Sequence, residues 1–194
     1  RGGRQKGASA KAEDFAWVGR LDFTAMPGLL AGASVYAGNS GQDIEDATGA
    51  GIDVPTVIAE AHADYRWRGL ELRGLYARAE LDEVDDLNRA LGLEGSASVG
   101  ETMDGGYLQA GFDLLAARSG RAALIPYLRW ERVNTQEEVP DGYQADPATD
   151  LEVLTIGLAY QPIEQLILKL DYQDVDNGAG TAVDQFNLGL GYIF

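Results

Sequence analysis

Apolar and polar residues alternate along much of the chain, most regularly at its end. Phe186, Leu188, Leu190, Tyr192 and Phe194 are apolar there, and of the residues between them only Ile193 is. A period of two places one set of side chains on one face of a sheet. The end of the chain is therefore predicted to be a β-strand with one apolar face.

Nine segments show this period between turn residues. They cover approximately residues 15–25, 29–38, 56–68, 70–81, 106–117, 122–134, 151–161, 166–175 and 185–194. Short connections that contain Gly or Pro alternate with long polar ones, which predicts an antiparallel up-and-down sheet with turns at one end and loops at the other. Residues 85–93 break the alternation, and they are predicted to form a helical turn or two inside the second long loop.

The aromatic residues of the apolar set fall near the two ends of the strands. If the chain terminus lies at the turn end, those on the loop side are Phe15, Trp17, Tyr76, Trp130, Tyr172 and Phe186. Those on the turn side are Phe23, Tyr65, Trp67, Tyr160, Tyr192 and Phe194. Aromatic girdles at both interfaces are typical of transmembrane β-barrels. The sequence thus predicts an all-β, antiparallel up-and-down transmembrane β-barrel; a soluble barrel, with the apolar set inside, is the alternative.

The opposite phase of the strands is rich in charged side chains, which are predicted to line a pore. They are Arg20, Asp22, Glu60, His62, Asp64, Arg66, Glu71, Arg73, Asp113, Tyr127, Arg129, Glu131, Lys169 and Asp171. Rings of fixed charge set the ion preference of a wet pore. In the alternative interpretation, these groups pair across neighbouring strands and only stabilise a polar interior.

The composition of the chain argues against several classes of function. The net charge of -16 argues against nucleic acid as a partner, because binding to phosphates requires cations. The chain has no cysteine and a single histidine, His62, and no nucleophile elbow or phosphate-binding loop occurs in the required context. We therefore expect no enzyme, cofactor or metal site. Many acids fall in the long connections, where loose binding of divalent ions is a hypothesis.

An odd number of strands predicts that the chain is incomplete, since single-chain bacterial barrels have an even number. Residues 1–194 are then the C-terminal part of one outer-membrane barrel domain, with residues 1–14 a remnant of an extracellular loop. At roughly 22 residues per strand, a barrel of about 16 strands would need roughly 350 residues. A complete small barrel with an unrecognised first strand is the alternative.

Five segments resemble the C-terminal half of proteobacterial porins of the phosphate-selective O/P type. They are residues 12–23, 27–36, 65–73, 126–131 and 192–194. The closing pattern of Phe186, Leu188, Leu190, Tyr192 and Phe194 also resembles the terminal signal of outer-membrane barrels. The resemblance implies a homotrimeric, 16-stranded passive channel that is often anion-preferring, with lysines on the pore wall; this chain has Lys6, Lys11 and Lys169.

The expected function is a passive diffusion channel for small hydrophilic solutes or ions, including anions, in the bacterial outer membrane. Its expected partners are the membrane lipid, lipopolysaccharide and the barrel-assembly machinery. The alternatives are a non-conducting barrel for surface recognition or adhesion, and an outer-membrane hydrolase, which would need a Ser/His pair on adjacent strands.

Overall fold

A computed structural model describes residues 14–42, 44–118 and 120–193. Residues 1–13 and Phe194 lie outside this range, and with them most of the predicted loop remnant, Lys6, Lys11 and the last residue of the terminal signal. The strands are β1 (Ala16–Phe23), β2 (Leu29–Asn39), β3 (Pro55–Trp67), β4 (Leu70–Leu81), β5 (Thr102–Phe112), β6 (Ala123–Glu138), β7 (Asp150–Ile163), β8 (Leu166–Asn177) and β9 (Gln185–Tyr192). A helix, α1 (Val84–Leu91), and the 3-10 turns Gly95–Ala97 and Pro147–Thr149 lie between strands.

All nine strands form one antiparallel sheet in the order of the sequence, from β1 to β9. Each strand pairs with the next one along the chain, and within the described residues β1 and β9 are the two edges of an open sheet. The all-β, antiparallel, up-and-down topology predicted from the alternation is therefore present.

Connections are short after β1, β3 and β7, as the sequence predicts, and residues 40–54, 82–101, 139–149 and 178–184 connect the strands at the opposite end of the sheet. The connection after β5 differs from the prediction: it spans residues 113–122 instead of 118–121 and is longer than residues 178–184, because β5 ends at Phe112. We call the end with the connections after β1, β3, β5 and β7 the turn end, and the opposite one the loop end. Across the described residues, no helix is both long and apolar enough to cross a membrane.

Local chemistry explains two of the tight turns. In the turn after β1, Leu29 N donates to Met26 O at 3.0 Å, with Pro27 and Gly28 between them, and Gly28 has a φ of 81°. Pro followed by a residue with positive φ is the sequence of a type II turn. Arg68 and Gly69 join β3 to β4 with φ of 49° and 89°, as a two-residue hairpin of type I′ requires.

The predicted bounds of β5 and β6 need correction. β5 ends at Phe112 rather than near residue 117, because the Asp113 carboxylate accepts hydrogen bonds from the backbone N–H groups of Leu115 and Leu124 and so fixes a turn. β6 continues to Glu138, beyond the predicted end near residue 134.

The buried apolar residues of the described chain lie mainly at the loop end. Val54, Val84 and Leu87 are buried there, and Ala159 is buried within the sheet. α1, predicted within residues 85–93, spans Val84–Leu91 and packs Val84, Leu87 and Asn88 inward. The buried apolar core of the described chain therefore lies mainly between α1 and the loops at the loop end, and not between two packed sheets.

Candidate functional site

One face of the sheet is apolar over most of its height and uncovered. Its residues include Leu21, Leu108, Ile156, Leu170 and Leu188, and we call it the leucine face. Exposure is high for Leu21 (79%), Leu108 (64%) and Leu188 (80%). The rows are continuous across strands, since Leu170 lies opposite both Leu158 and Leu188. An exposed apolar patch of this extent is unusual for a soluble monomer and marks a surface that contacts a partner, a ligand or a membrane.

The aromatic residues predicted as girdles lie on the leucine face near its two ends. On the loop side, Trp17, Tyr76, Trp130, Tyr172 and Phe186 are exposed, and Phe15 precedes β1 with 88% exposure. On the turn side lie Phe23, Tyr65, Trp67, Tyr160 and Tyr192, of which Tyr65 is half-buried and the others are exposed.

Three of the loop-side aromatics donate to a carboxylate further toward the loop end. Tyr76 Oη donates to Asp104 Oδ2 at 2.9 Å, and Trp130 Nε1 donates to Glu152 Oε1 at 2.8 Å. Tyr172 Oη donates to Asp184 Oδ2 at 2.7 Å. The polar tips of these rings thus mark the level at which the leucine face changes from apolar to charged.

The opposite face, which we call the arginine face, carries the clefts of the sheet and Arg20, Arg66, Arg73 and Arg129. Its first cluster joins β1, β2 and β3. Arg20 Nε lies 2.9 Å from Asp22 Oδ2, and the ring of His62 lies 3.4 Å from Asp22 and 2.7 Å from Glu60. Ser34 Oγ donates to Glu60 at 2.9 Å.

A second cluster lies nearer the turn end of β3 and β4. Asp64 is placed between Arg66 Nε, at 3.2 Å, and Arg73 Nε, at 3.0 Å, and Arg73 also approaches Glu71 at 3.8 Å. The positive charges of two guanidinium groups are therefore balanced by the negative charges of two carboxylates.

A third cluster crosses β5 to β9. Arg129 pairs with Glu131 at 2.7 Å, and its guanidinium lies 3.7 Å from the centre of the Tyr107 ring. Tyr127 Oη and Asn187 Nδ2 both donate to Asp171, at 3.3 and 2.9 Å.

Lys169 differs from the arginines of this face. It lies between Ala159 and Gly189 on the neighbouring strands. Among the residues that the structure describes, no carboxylate forms an ion pair with its amine, whereas Arg20, Arg66, Arg73 and Arg129 each have one. Lys169 is therefore the cation of the arginine face whose charge no described carboxylate balances.

Most residues predicted to line a pore lie within strands on the arginine face, whereas Asp113 follows the end of β5 at the turn end. Its carboxylate accepts hydrogen bonds from the backbone of the turn after β5, at 2.9 and 3.0 Å from Leu115 N and Leu124 N. Asp113 therefore caps this turn.

The structure also shows a feature that sequence reasoning missed: the two faces exchange polarity at the loop end. On the leucine face, Arg132 lies opposite Glu152, which lies opposite Asp176. On the arginine face at this level, Val18, Tyr36, Ile58, Ala79 and Met103 lie side by side from β1 to β5. Val133, Leu151, Val153 and Val175 continue this apolar zone on β6 to β8. The signal was present in the sequence, as β-branched residues on the predicted polar phase between acids on the other phase.

Several acids of the long connections have shifted pKa values. Hydrogen bonds from the Thr48 hydroxyl and from the backbone of Ala50 and Thr48 lower the pKa of Asp46. Burial, with Asp141, Asp85, Glu138 and Asp82 nearby, raises the pKa of Glu101. The Tyr172 hydroxyl and the Val175 backbone lower the pKa of Asp184.

One described group of acids has the spacing of a metal site. Carboxylate oxygens of Glu83, Asp85 and Asp86 lie within 4.8 Å of one another at the start of α1. Arg89 pairs with Asp85 at 3.1 Å and also with Asp86, so its guanidinium already balances part of their charge.

Comparison with known proteins adds one relative. No family model matches the chain. An uncharacterized protein of Aquifex aeolicus (strain VF5) is 26% identical over 174 residues, which are 87% of this chain and 39% of the relative. The chain therefore spans well under half of the length of that relative.

Proposed function

We propose that the chain is part of an outer-membrane β-barrel that acts as a passive channel for small hydrophilic solutes or ions. The observation that carries the proposal is the opposite chemistry of the two faces: an uncovered leucine face fringed by aromatics, and an arginine face with ion pairs and clefts. Outward apolar bands with aromatic girdles and a polar interior are the pattern of membrane barrels.

In this proposal the leucine face contacts lipid between the two aromatic levels. Lipopolysaccharide then lies at the loop end, where Arg132, Glu152 and Asp176 make this face charged. The barrel-assembly machinery recognises the terminal strand, and three copies associate, as in the porins that the sequence resembles.

The free edges β1 and β9 require partners in a membrane, since each unpaired backbone group in hydrocarbon costs several kcal/mol. The Aquifex relative has room for such strands, because this chain spans 39% of its length. We propose that further strands of the same polypeptide close the barrel.

The pairing on the arginine face bears on ion preference. The four arginines of this face each lie within 3.2 Å of a carboxylate oxygen, whereas Lys169 on the same face has no ion-pair partner among the described carboxylates. We expect weak selectivity, with Lys169 contributing to whatever anion preference exists.

Conductance of the full-length protein in planar bilayers under a salt gradient tests the proposal. We expect discrete steps, and a reversal potential that shifts toward cation preference in Lys169→Gln. Gln185→Asn is the matched control on the same face, because it alters a side chain without changing charge. A folded barrel that gives no current contradicts the channel.

The second candidate is a non-conducting barrel that presents an ordered surface for recognition. It is favoured by the hydrogen-bonded loop end, where Asn88 Nδ2 donates to Ser98 Oγ at 2.7 Å and Gln136 Nε2 donates to Ser96 O at 3.2 Å. A silent barrel that loses binding to cell-surface material when this loop is deleted would support it.

A further inference from the structure

We propose that the apolar zone at the loop end of the arginine face is a binding site for an uncharged small molecule with an apolar body. The inference rests on the proposed function, since it names a class of solute that the channel admits.

The cleft has the size and lining of a ligand site. It measures about 590 Å³ and is lined by Leu75, Met103, Val133, Leu151, Val153 and Val175, among others. Small-molecule sites are typically clefts of roughly 300–1,000 Å³ with mostly apolar walls and few polar groups. Val133 is 40% exposed here, so the lining is open to an occupant.

Lipid does not explain this apolar surface. The cleft is on the face opposite the leucine face, and at its level the leucine face itself is charged, with Arg132 opposite Glu152. A membrane that covers the leucine face therefore reaches neither this height nor this side of the sheet.

The charges that border the cleft favour a ligand without net charge. At its floor, Arg129 pairs with Glu131 at 2.7 Å and stacks on Tyr107 at 3.7 Å. Gln173 and Gln185 in the lining are neutral amides. The lining also includes Arg78, Asp104 and Arg132, and each of these is already partnered, by Glu80, Tyr76 and Asp150 respectively. An ionic ligand would therefore enter a mostly apolar cleft whose charged groups are already paired, which carries a large desolvation cost.

The cleft also continues into the polar part of the same face. Glu131 and Gln173 line both this cleft and a second one of about 420 Å³, which contains Arg73, Arg129 and Lys169. A solute that leaves the apolar site thus meets the charged wall directly, as expected for a station along a permeation path.

Because the chain has no cysteine, an introduced thiol can report occupancy. We would introduce Val153→Cys in the full-length protein, with any cysteine outside this chain replaced by serine, and reconstitute it in nanodiscs. The rate of modification by a charged, membrane-impermeant methanethiosulfonate is then measured with and without cyclohexanol. At about ten times its Kd, cyclohexanol should slow the reaction roughly tenfold by mass action.

Two controls make the result specific. Ile167→Cys lies in the polar cleft on the same face and should react at an unchanged rate. Cyclohexanecarboxylate and cyclohexylammonium have the same ring with a charge, and each should protect less than cyclohexanol.

Equal protection at both positions, equal protection by the charged analogues, or no protection at all would overturn the inference. A thiol at position 153 that is unreactive even without solute would also overturn it, since a protein segment would then cover the cleft. Thiol modification does not depend on conduction. A barrel that conducts no current but shows selective protection at position 153 would therefore contradict the proposed channel and still support the proposed binding site.

Discussion

At the scale of the residue, two glycines have nearly the same backbone conformation in very different surroundings. Gly28 and Gly49 have φ of 81° and 83°. A Cβ on Gly28 would clash with the backbone oxygen of Arg66, whereas nothing lies within 4 Å of a Cβ on Gly49. Substituting each glycine by alanine therefore distinguishes two contributions to the loss of stability: the strain of a positive φ, which both positions share, and the backbone clash, which occurs only at Gly28.

We expect Gly28→Ala to destabilise the protein more than Gly49→Ala. Both changes add strain of about 1–3 kcal/mol from the positive φ. The clash in Gly28→Ala should add about 1–3 kcal/mol more, since Arg66 O belongs to a paired strand that cannot move freely. Urea unfolding of the full-length protein in vesicles measures the difference, and equal effects would show that the turn adapts.

Glu101 gives the loop end a pH dependence of known sign. Burial, followed by repulsion from Asp141 and Asp85, raises its pKa above the usual 4.5. A raised carboxyl pKa means that the folded loop binds the proton more tightly than the unfolded one does. This contribution to stability is complete below the unfolded pKa and is lost as pH rises through the folded value.

We therefore expect the loop around Glu101 to open more easily at pH 7.5 than at pH 4, and Glu101→Gln to remove this difference. The Leu81 N–H, which donates to Glu101 O at 2.8 Å, is a suitable probe. Its opening free energy, from hydrogen exchange corrected for intrinsic rates, should vary less with pH in the variant. Glu94→Gln, at an exposed position in the same connection, is the control for loss of charge.

At the scale of the element, Asn88 is the buried polar side chain of α1 and joins the helix to the rest of its connection by hydrogen bonds. Asn88 is fully buried, its Nδ2 donates to Ser98 Oγ at 2.7 Å, and its Oδ1 accepts from Val99 N at 3.0 Å. Leu93 N and Gly92 N close the C-terminal end of the helix on Asn88 O and Arg89 O.

Asn88→Ala should loosen the long connection between β4 and β5 while leaving the strands intact. It removes two hydrogen bonds and leaves the half-buried Val99 N without its partner, which costs about 1–3 kcal/mol. Limited proteolysis should become faster at residues 92–97 and stay unchanged elsewhere. Arg89→Ala on the exposed side removes ion pairs worth at most about 1 kcal/mol and should have little effect.

The alternation predicted the existence and order of the strands but not all of their ends. β4 matched residues 70–81 because β3 pairs with all of them and β5 pairs with residues 70–80. β5 was predicted to continue because Leu114 keeps the apolar phase, yet capping by Asp113 stops it at Phe112. A short acidic side chain that hydrogen-bonds to the nearby backbone competes with strand formation. The alternation of apolar and polar residues does not reveal this competition.

At the scale of the whole molecule, period two predicts which residues share a face but not what that face contacts. The charged set could be assigned to one side, including Arg20, Glu60 and Lys169, because each occupies the same phase. The exchange of polarity at the loop end was missed, since the surroundings of a face change along a strand while the period does not. Val153 and Glu152 obey the alternation perfectly, with the roles of the two faces reversed.

Adjacent residues of β9 test whether the leucine face contacts lipid. Leu188→Lys places a charge in the middle of that face and should cost about 2–4 kcal/mol if the face lies at the bilayer midplane. Asn187→Lys places the same charge on the arginine face, where Asp171 lies 2.9 Å from the present amide and can pair with it.

We expect Leu188→Lys to lower the yield of folded barrel in vesicles, read as the heat-modifiable band on gels, and Asn187→Lys to leave it near the unsubstituted level. Equal yields for the two variants would contradict lipid contact at the leucine face.

The ion pairs of the arginine face have a consequence for assembly. Arg20 pairs with Asp22, Arg66 with Asp64 and Arg129 with Glu131, each two residues apart on one strand. A strand or hairpin therefore carries its own counter-charges before any neighbour arrives. In the proposed membrane setting, hairpins could enter the bilayer one after another as electrically balanced units, without waiting for the finished wall to neutralise them.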